Sequence, residues 1–317
     1  MKSFSLLVLI LFGLSSYAQD YKTLASAASE QYSNKAYKQS VEFYRQAFQF
    51  STTNQYDLYN AACSAALAGD AELAVKWLNM AFERGYVNIR HVKTDTDLTS
   101  LHARPDWKSL LNKMQKKVDQ IEANYDKPLQ KKLLGIFEED QKYRLQIDEV
   151  GKKYGFESKE MSALWKTIGE KDSVNLISVK EILDRYGWVG EDKVGRQANA
   201  SLFLVIQHAD LSTQQKYLPV MRTAVKANKA QASELALLED RVALGENRRQ
   251  TYGSQIGEDP TGTAYVLPLE DPDHVDERRE QVGLGPLADY VKNWGIKWDA
   301  AAYKKQLPDL ERQAGIK

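Results

Sequence analysis

The chain has 317 residues, with 43 Lys and Arg against 43 Asp and Glu, and 43% of it is hydrophobic. It is too apolar for a disordered protein and, with balanced charge and no basic stripe, unlike a generic nucleic-acid binder. A single cysteine excludes an intramolecular disulfide framework.

The N-terminus carries a targeting pattern. Lys2 precedes an uncharged, mainly apolar run from Phe4 to Leu14, and small residues follow at Ser16 and Ala18. This is the layout of a secretory signal peptide over residues 1–18, cleaved after Ala18. Its apolar run is much shorter than the roughly 20 residues that span a bilayer. No later segment is apolar enough to span, and no cysteine near the cleavage point offers a lipid anchor. Removing Lys2 with the leader leaves a net charge of −1. The expectation is a soluble exported protein, periplasmic or secreted, with no membrane span after cleavage. Cys63 is then a lone thiol in an oxidising compartment, best protected by burial in a helix.

Residues 19–125 are expected to form the first domain. Tyr21–Asn54 aligns without a gap on Gln55–Asn88, an offset of 34. Ala28 matches Ala62, Ser40 matches Ala74, Tyr44 matches Leu78 and Ala47 matches Ala81. Lys35 faces Gly69 where the first helix of each unit turns into the second. Small residues let paired helices approach, and Tyr37, Phe43, Leu67, Val75, Trp77 and Phe82 fill the spaces between. A 34-residue period with small residues at these places resembles the tetratricopeptide repeat, which implies a groove for a protein or peptide partner. The plainer alternative is an ordinary pair of helical hairpins. Two repeats are few for a solenoid, so a cap is expected. His91 to Leu101 reads as a loop. Pro105-Asp106-Trp107 then opens a capping helix with Trp107, Leu110, Leu111 and Met114 on one side.

A second helical domain is expected over residues 126–317, starting near Asp126-Lys127-Pro128. Leu129 to Tyr154 reads as one long helix, a further helix follows Ser158, and another runs from Ser173 to Tyr186, ended by Gly187. Val194 to His208 is helical, and Asp210-Leu211 breaks it. Ser212 to Gln215 has capping-box spacing for a helix that reaches Asn228. Ala230 to Glu246 is helical, and Gly253 to Asp273 is a long loop or irregular hairpin. Short helices over His274–Val282 and Leu287–Lys292 complete the reading. The fold class is all-α: tetratricopeptide-like hairpins, then a helical domain with a long irregular loop.

A set of motifs in this domain occurs in a distinctive order. It runs Gly187-Trp188; Gln207-His208-Ala209-Asp210; Asp240-Arg241-Val242; Gln250, Tyr252-Gly253-Ser254-Gln255; Asp271-Pro272 with Val275 to Arg279; and Gly283-Leu284 with Pro286-Leu287. From about Leu133 to Trp298 the chain resembles a bacterial domain-of-unknown-function family, number sixty-six twenty-four. Asn247 stands where glycine is expected and Ser254 where threonine is. The resemblance implies no activity. It marks the polar residues to weigh.

His208 and Asp210 are the catalytic candidates, a general acid or base with an orienting carboxylate. The alternative is a cationic His208 at the negative end of a helix beside an aspartate in a turn. Asp240 and Arg241 offer a carboxylate- or phosphate-binding arginine, or an internal ion pair from Arg241 to Asp271 or Asp276 that holds the loop down. Gln250, Tyr252 and Gln255 offer fixed donors and acceptors to a sugar, peptide or muropeptide-like ligand, or else satisfy loop backbone. Trp188, Asp271 and Arg278 complete the binding candidates. Asp271, His274 and His208 have no recognised metal-ligand spacing, so no metal and no cofactor is expected. No nucleophile elbow, phosphate loop or dinucleotide fingerprint is present. The leading expectation is an exported interaction protein, with a peptide groove in the repeats and a polar, envelope-derived or small-molecule ligand site in the second domain. The alternatives are a cell-envelope hydrolase using His208 with a nearby aspartate, and a purely structural helical module.

Overall fold

The computed structural model describes residues 20–259 and 261–316, so the expected signal peptide lies outside the described residues. The chain divides between Ala123 and Asn124 into two compact units. The fold is all-α, with one two-stranded hairpin as the only sheet among the described residues. No helix among them is long and apolar enough to cross a membrane.

The first unit opens with α1 (residues 20–33), α2 (Tyr37–Phe50), α3 (Gln55–Leu67) and α4 (Ala71–Glu83). Asn54 caps α3 by accepting from the Tyr56 and Asp57 amides, and Asp70 caps α4 through the Leu73 amide. Lys35 and Gly69, 34 residues apart, both hold left-handed backbone, with φ of 59° and 85°. The small residues paired by that offset (Ala28, Ala62, Ser40, Ala74, Ala47, Ala81) are all buried. Close approach is what they permit. Ser40 Oγ donates to the Ala28 carbonyl at 2.8 Å and shares a 2.9 Å hydrogen bond with Ser64 Oγ, so this polar pair is satisfied inside the core.

Over His91–Leu101 the structure differs from the expected loop. α5 (Ile89–Thr94) and a 3-10 helix (Thr96–Leu101) occupy the segment. Two capping side chains explain this: Asn88 accepts from the His91 amide, and Asp95 accepts from the Asp97 amide. Val92, Leu98 and Leu101 are fully buried, which holds the short helices to the core. α6 (Pro105–Glu122) adds Trp107, Leu110 and Met114 to the same core.

The second unit begins with α7 (Lys127–Arg144) and α8 (Ile147–Tyr154), two helices where one was expected. α9 (Lys159–Tyr186) reverses that error, being one 28-residue helix where two were expected. Ser173, at the expected start of the second, bonds back to the Gly169 carbonyl at 2.9 Å as a helix-interior serine does. α10 (Glu191–Val194), α11 (Arg196–Gln207), α12 (Leu211–Lys226) and α13 (Ala232–Gly245) follow. α11 is apolar on most of its faces because it packs against α7, α9, α12 and α13. α12 is capped by Asp210, whose Oδ1 accepts from the Thr213 amide at 2.9 Å, and not by a box starting at Ser212.

The expected long loop contains β1 (Ile256–Glu258) paired antiparallel with β2 (Ala264–Val266), Ile256 opposite Val266. α14 (Val275–Gln281), α15 (Leu287–Val291) and α16 (Ala300–Ala314) close the unit. α16 was not anticipated, and Pro308 lies inside it. Asp299 caps it through the Ala301 and Ala302 amides, and its Tyr303 and Leu307 bury against Val266, Leu269 and Leu287.

Gly187 ends α9 with φ of 66° and ψ of −160°, a region open to glycine almost alone, and delivers Trp188 to the core. Gly187→Ala should lower unfolding free energy by about 1–3 kcal/mol in urea titrations. Gly315→Ala, at φ of 67° and ψ of 21° after α16, should cost only about 1 kcal/mol. Equal costs would show that the ψ of Gly187 imposes no extra constraint.

Candidate functional site

His208 follows the last turn of α11, and its partner is not Asp210. Its Nδ1 lies 3.2 Å from Oδ1 of Asp140, a buried residue of α7. Arg144, one turn further along α7, reaches the same Oδ1 at 3.3 Å and donates to Asp172 Oδ2 on α9 at 2.7 Å. Gln141 donates to the other oxygen of Asp140 at 2.8 Å. One cluster of side chains thus ties α7, α9 and α11 together. Burial works to raise the Asp140 pKa. The bond and charge of His208, with the charge of Arg144, outweigh it and hold the carboxyl below the usual carboxylate range.

Asp210 is engaged elsewhere: its backbone is extended (φ −65°, ψ 159°) and its side chain caps α12. It accepts from Ser212 Oγ at 2.6 Å and Thr213 Oγ1 at 3.1 Å, and with the Thr213 amide these bonds bring its pKa down to about 2. Ring and carboxylate atoms of Asp140, Asp172 and His208 lie within 4.8 Å of one another, a spacing that suits a metal ion. Arg144 already pairs with both of these carboxylates, so a second cation would be repelled. His274 sits in a different pairing, its Nδ1 2.8 Å from Asp271 Oδ2 in an exposed turn.

The remaining candidates gather around Asp240, which is fully buried on α13. Its carboxylate accepts three backbone amides, from Thr251 at 2.7 Å and from Tyr252 and Ser254 at 2.9 Å. Burial raises its pKa and these three bonds oppose the rise. Gln250, also fully buried, donates to the Gln255 and Leu267 carbonyls and accepts from the Gln255 amide. Arg278 donates to the carbonyls of Thr251, Glu270 and Asp271. Its neighbour Arg279, which sequence reasoning passed over, is 2% exposed. It donates to the Gly285 and Tyr252 carbonyls at 2.6 and 2.7 Å and lies over the Tyr290 ring. Asp240, Gln250 and Arg278 therefore satisfy loop backbone.

Arg241 makes no ion pair to Asp271 or Asp276 among the described residues. Arg278 takes up Asp271 at 3.7 Å, and Asp276 accepts the Leu287 amide. Arg241 is exposed as a residue, although burial of its guanidinium lowers its pKa; Tyr252 and Gln255 are half-buried, and the Gln255 amide donates to Ser254 Oγ at 3.0 Å. Trp188 is buried in the apolar core, its indole N–H without a hydrogen-bond acceptor among the described residues. No hydrogen bond or ion pair among the described residues joins the His208 cluster to the Asp240 cluster.

A model of a family of unknown function, DUF6624, matches residues 127–304, more than half of the chain. The chain belongs to this family. No curated protein and no solved structure matches it. Both polar clusters lie inside the DUF6624 region.

Among the other perturbed groups of that region is Glu234 on α13. Its Oε2 is buried with no hydrogen-bond partner among the described residues. Burial first, then repulsion from Glu191, raises its pKa to about 7 against attraction from Arg196. Neither Glu234 nor the Asp140–Arg144–Asp172 group carries a local sequence signal, since each depends on partners from distant helices.

Outside the DUF6624 region, the first unit has a cavity of about 530 Å³ walled by residues of α1, α2, α3 and the 91–97 segment. Tyr59, Cys63, His91, Asp95 and Asp97 give it a polar, hydrogen-bonding lining. Cys63 itself is buried, and burial followed by the nearby Asp95 and Asp97 charges pushes its thiol pKa up.

The folded protein keeps Glu234 protonated up to about pH 7, whereas the unfolded chain releases that proton above about 4.5. The associated stability is complete below pH 4.5 and is lost as pH climbs through 7. Glu234→Gln should match the parent at pH 4 and exceed it by about 3 kcal/mol at pH 8 in urea titrations. A difference that does not change with pH would rule out this titration.

Proposed function

We propose that the protein is exported after loss of residues 1–18 and works as an interaction protein in the periplasm or outside the cell. On this reading residues 19–125 are a tetratricopeptide-like domain that holds a peptide segment of a partner, and residues 126–317 form the second domain. The observation that carries the reading is the polar cavity of about 530 Å³ in the first unit, large enough for side chains of an extended peptide. The 34-residue spacing, the buried small residues and the added α6 support the repeat assignment. In the second domain Arg241, Tyr252 and Gln255 offer a polar surface to a small or envelope-derived ligand, while Asp240, Gln250, Arg278 and Arg279 hold that surface in place.

A second reading, hydrolysis of a cell-envelope substrate, is favoured by the 3.2 Å approach of His208 to buried Asp140. A buried carboxylate beside an imidazole orients it as a general base. Release of soluble fragments from isolated envelopes, measured by mass spectrometry and abolished by both His208→Gln and Asp140→Asn, would establish it. No release by the parent protein rejects it.

The leading reading is tested by closing the cavity. Ser33 lines its edge and is exposed, so Ser33→Trp should obstruct it and leave the melting temperature within about a few degrees. Peptides from a digest of periplasmic proteins are passed over immobilised protein and identified by mass spectrometry. The parent should retain a subset that Ser33→Trp does not. Equal retention removes the cavity from the interaction.

A further inference from the structure

The cavity of the first unit is unbalanced in charge. Asp95 and Asp97 both line it, and among the described residues neither pairs with a lysine or arginine. The nearest base is His91, with Nε2 3.9 Å from Asp95 Oδ2. What the carboxylates accept instead are neutral donors. Tyr59 donates its hydroxyl to Asp95 Oδ2 at 2.7 Å, Tyr32 donates to Asp97 Oδ2 at 2.5 Å, and the Cys63 thiol lies 3.6 Å from Asp95 Oδ2.

The second unit supplies the contrast. Asp140 and Asp172 have the same close spacing, and there the protein provides its own cation, Arg144. In the cavity of the first unit the described residues supply no such lysine or arginine, and the space beside the carboxylates is open. The field is felt by the walls. The pKa values of Tyr59 and Cys63 are raised, by burial first, and that of Tyr32 is raised by its bond to Asp97 first. In all three the carboxylate charges add to the rise.

The geometry points to an arginine side chain of an extended peptide as the cavity's ligand, its guanidinium lying between Tyr32 and Tyr59 and bridging Asp95 and Asp97. This deepens the peptide-binding reading and rests on it. Oxygens of the two carboxylates lie within 4.8 Å of each other. A planar guanidinium has donors on separate nitrogens and bridges two such acceptors, whereas an ammonium is a single point of charge. The Tyr59 ring is itself stacked on Tyr86 at 4.3 Å and the Tyr32 and Tyr59 hydroxyls are turned to the carboxylates, so recognition of the cation rests on Asp95 and Asp97. A bare metal ion would fill only a small part of a volume of about 530 Å³.

The test uses two pentapeptide libraries, one with arginine at the centre and one with citrulline, its neutral isostere, all other positions being randomised. They are mixed in equal amounts over immobilised full-length protein, and retained peptides are counted by mass spectrometry. Arginine peptides should be enriched at least about ten-fold over citrulline peptides. Asp97→Asn keeps an acceptor for Tyr32, so it should keep its melting temperature and lose the enrichment. Equal retention of both libraries overturns the arginine assignment and leaves the peptide-binding reading standing. Retention of neither overturns both. Cobalt(II) added to the protein without peptide should give no thiolate charge-transfer absorbance. Such a band, abolished by Cys63→Ser, would make the carboxylates metal ligands and overturn the arginine assignment.

Discussion

A carboxylate removed from water must be given donors, and the burial of Asp240 sets the arrangement of the second unit beyond α13. Three consecutive-region amides converge on it, which fixes the chain as it leaves α13. Gln250 then clamps that segment to the strand-bearing stretch through the Leu267 carbonyl, and Arg279 clamps it to α14 and the Gly285 turn. Beside these bonds Val266, Leu269, Leu287 and Tyr303 form an apolar cluster. The polar residues that look most like a binding site in the sequence are, in large part, the reason the irregular stretch has one conformation.

Two clusters of acidic side chains show how differently the units handle like charge. On α7 and α9, Asp140 and Asp172 are both paired within the fold with Arg144, and His208 completes the group. Around the cavity, Asp95 and Asp97 are met by phenols and a thiol that lend hydrogen bonds and no charge. The first arrangement is closed on itself. In the second, no lysine or arginine among the described residues answers the carboxylates.

Much of the architecture was legible in the sequence. The 34-residue period, the small residues that it aligns and the glycine after Tyr186 are local patterns, and each maps onto a feature of the structure. Helix limits were harder where the deciding interaction was not local. Ser173 resembles a cap until its hydroxyl is found bonded one turn back, and Pro308 hides α16, whose apolar face is fixed by β2 and α15. Site residues were the least legible. The partner of His208 lies 68 residues away on α7, whereas the adjacent Asp210 is drawn off by α12. Arg241 is the loop anchor that the sequence suggests, whereas Arg279, which carries no such signal, is the one that reaches the Gly285 and Tyr252 carbonyls.

The state of Cys63 has a practical corollary. Thiol–disulfide exchange and alkylation both proceed through the thiolate, and this sulfur is kept protonated and out of solvent. The folded chain should therefore react slowly with maleimides and in mixed-disulfide exchange, more slowly than the unfolded chain. A cysteine introduced at any surface position would be the single reactive thiol, giving a clean background for spin or fluorescent labels without altering the native sequence elsewhere.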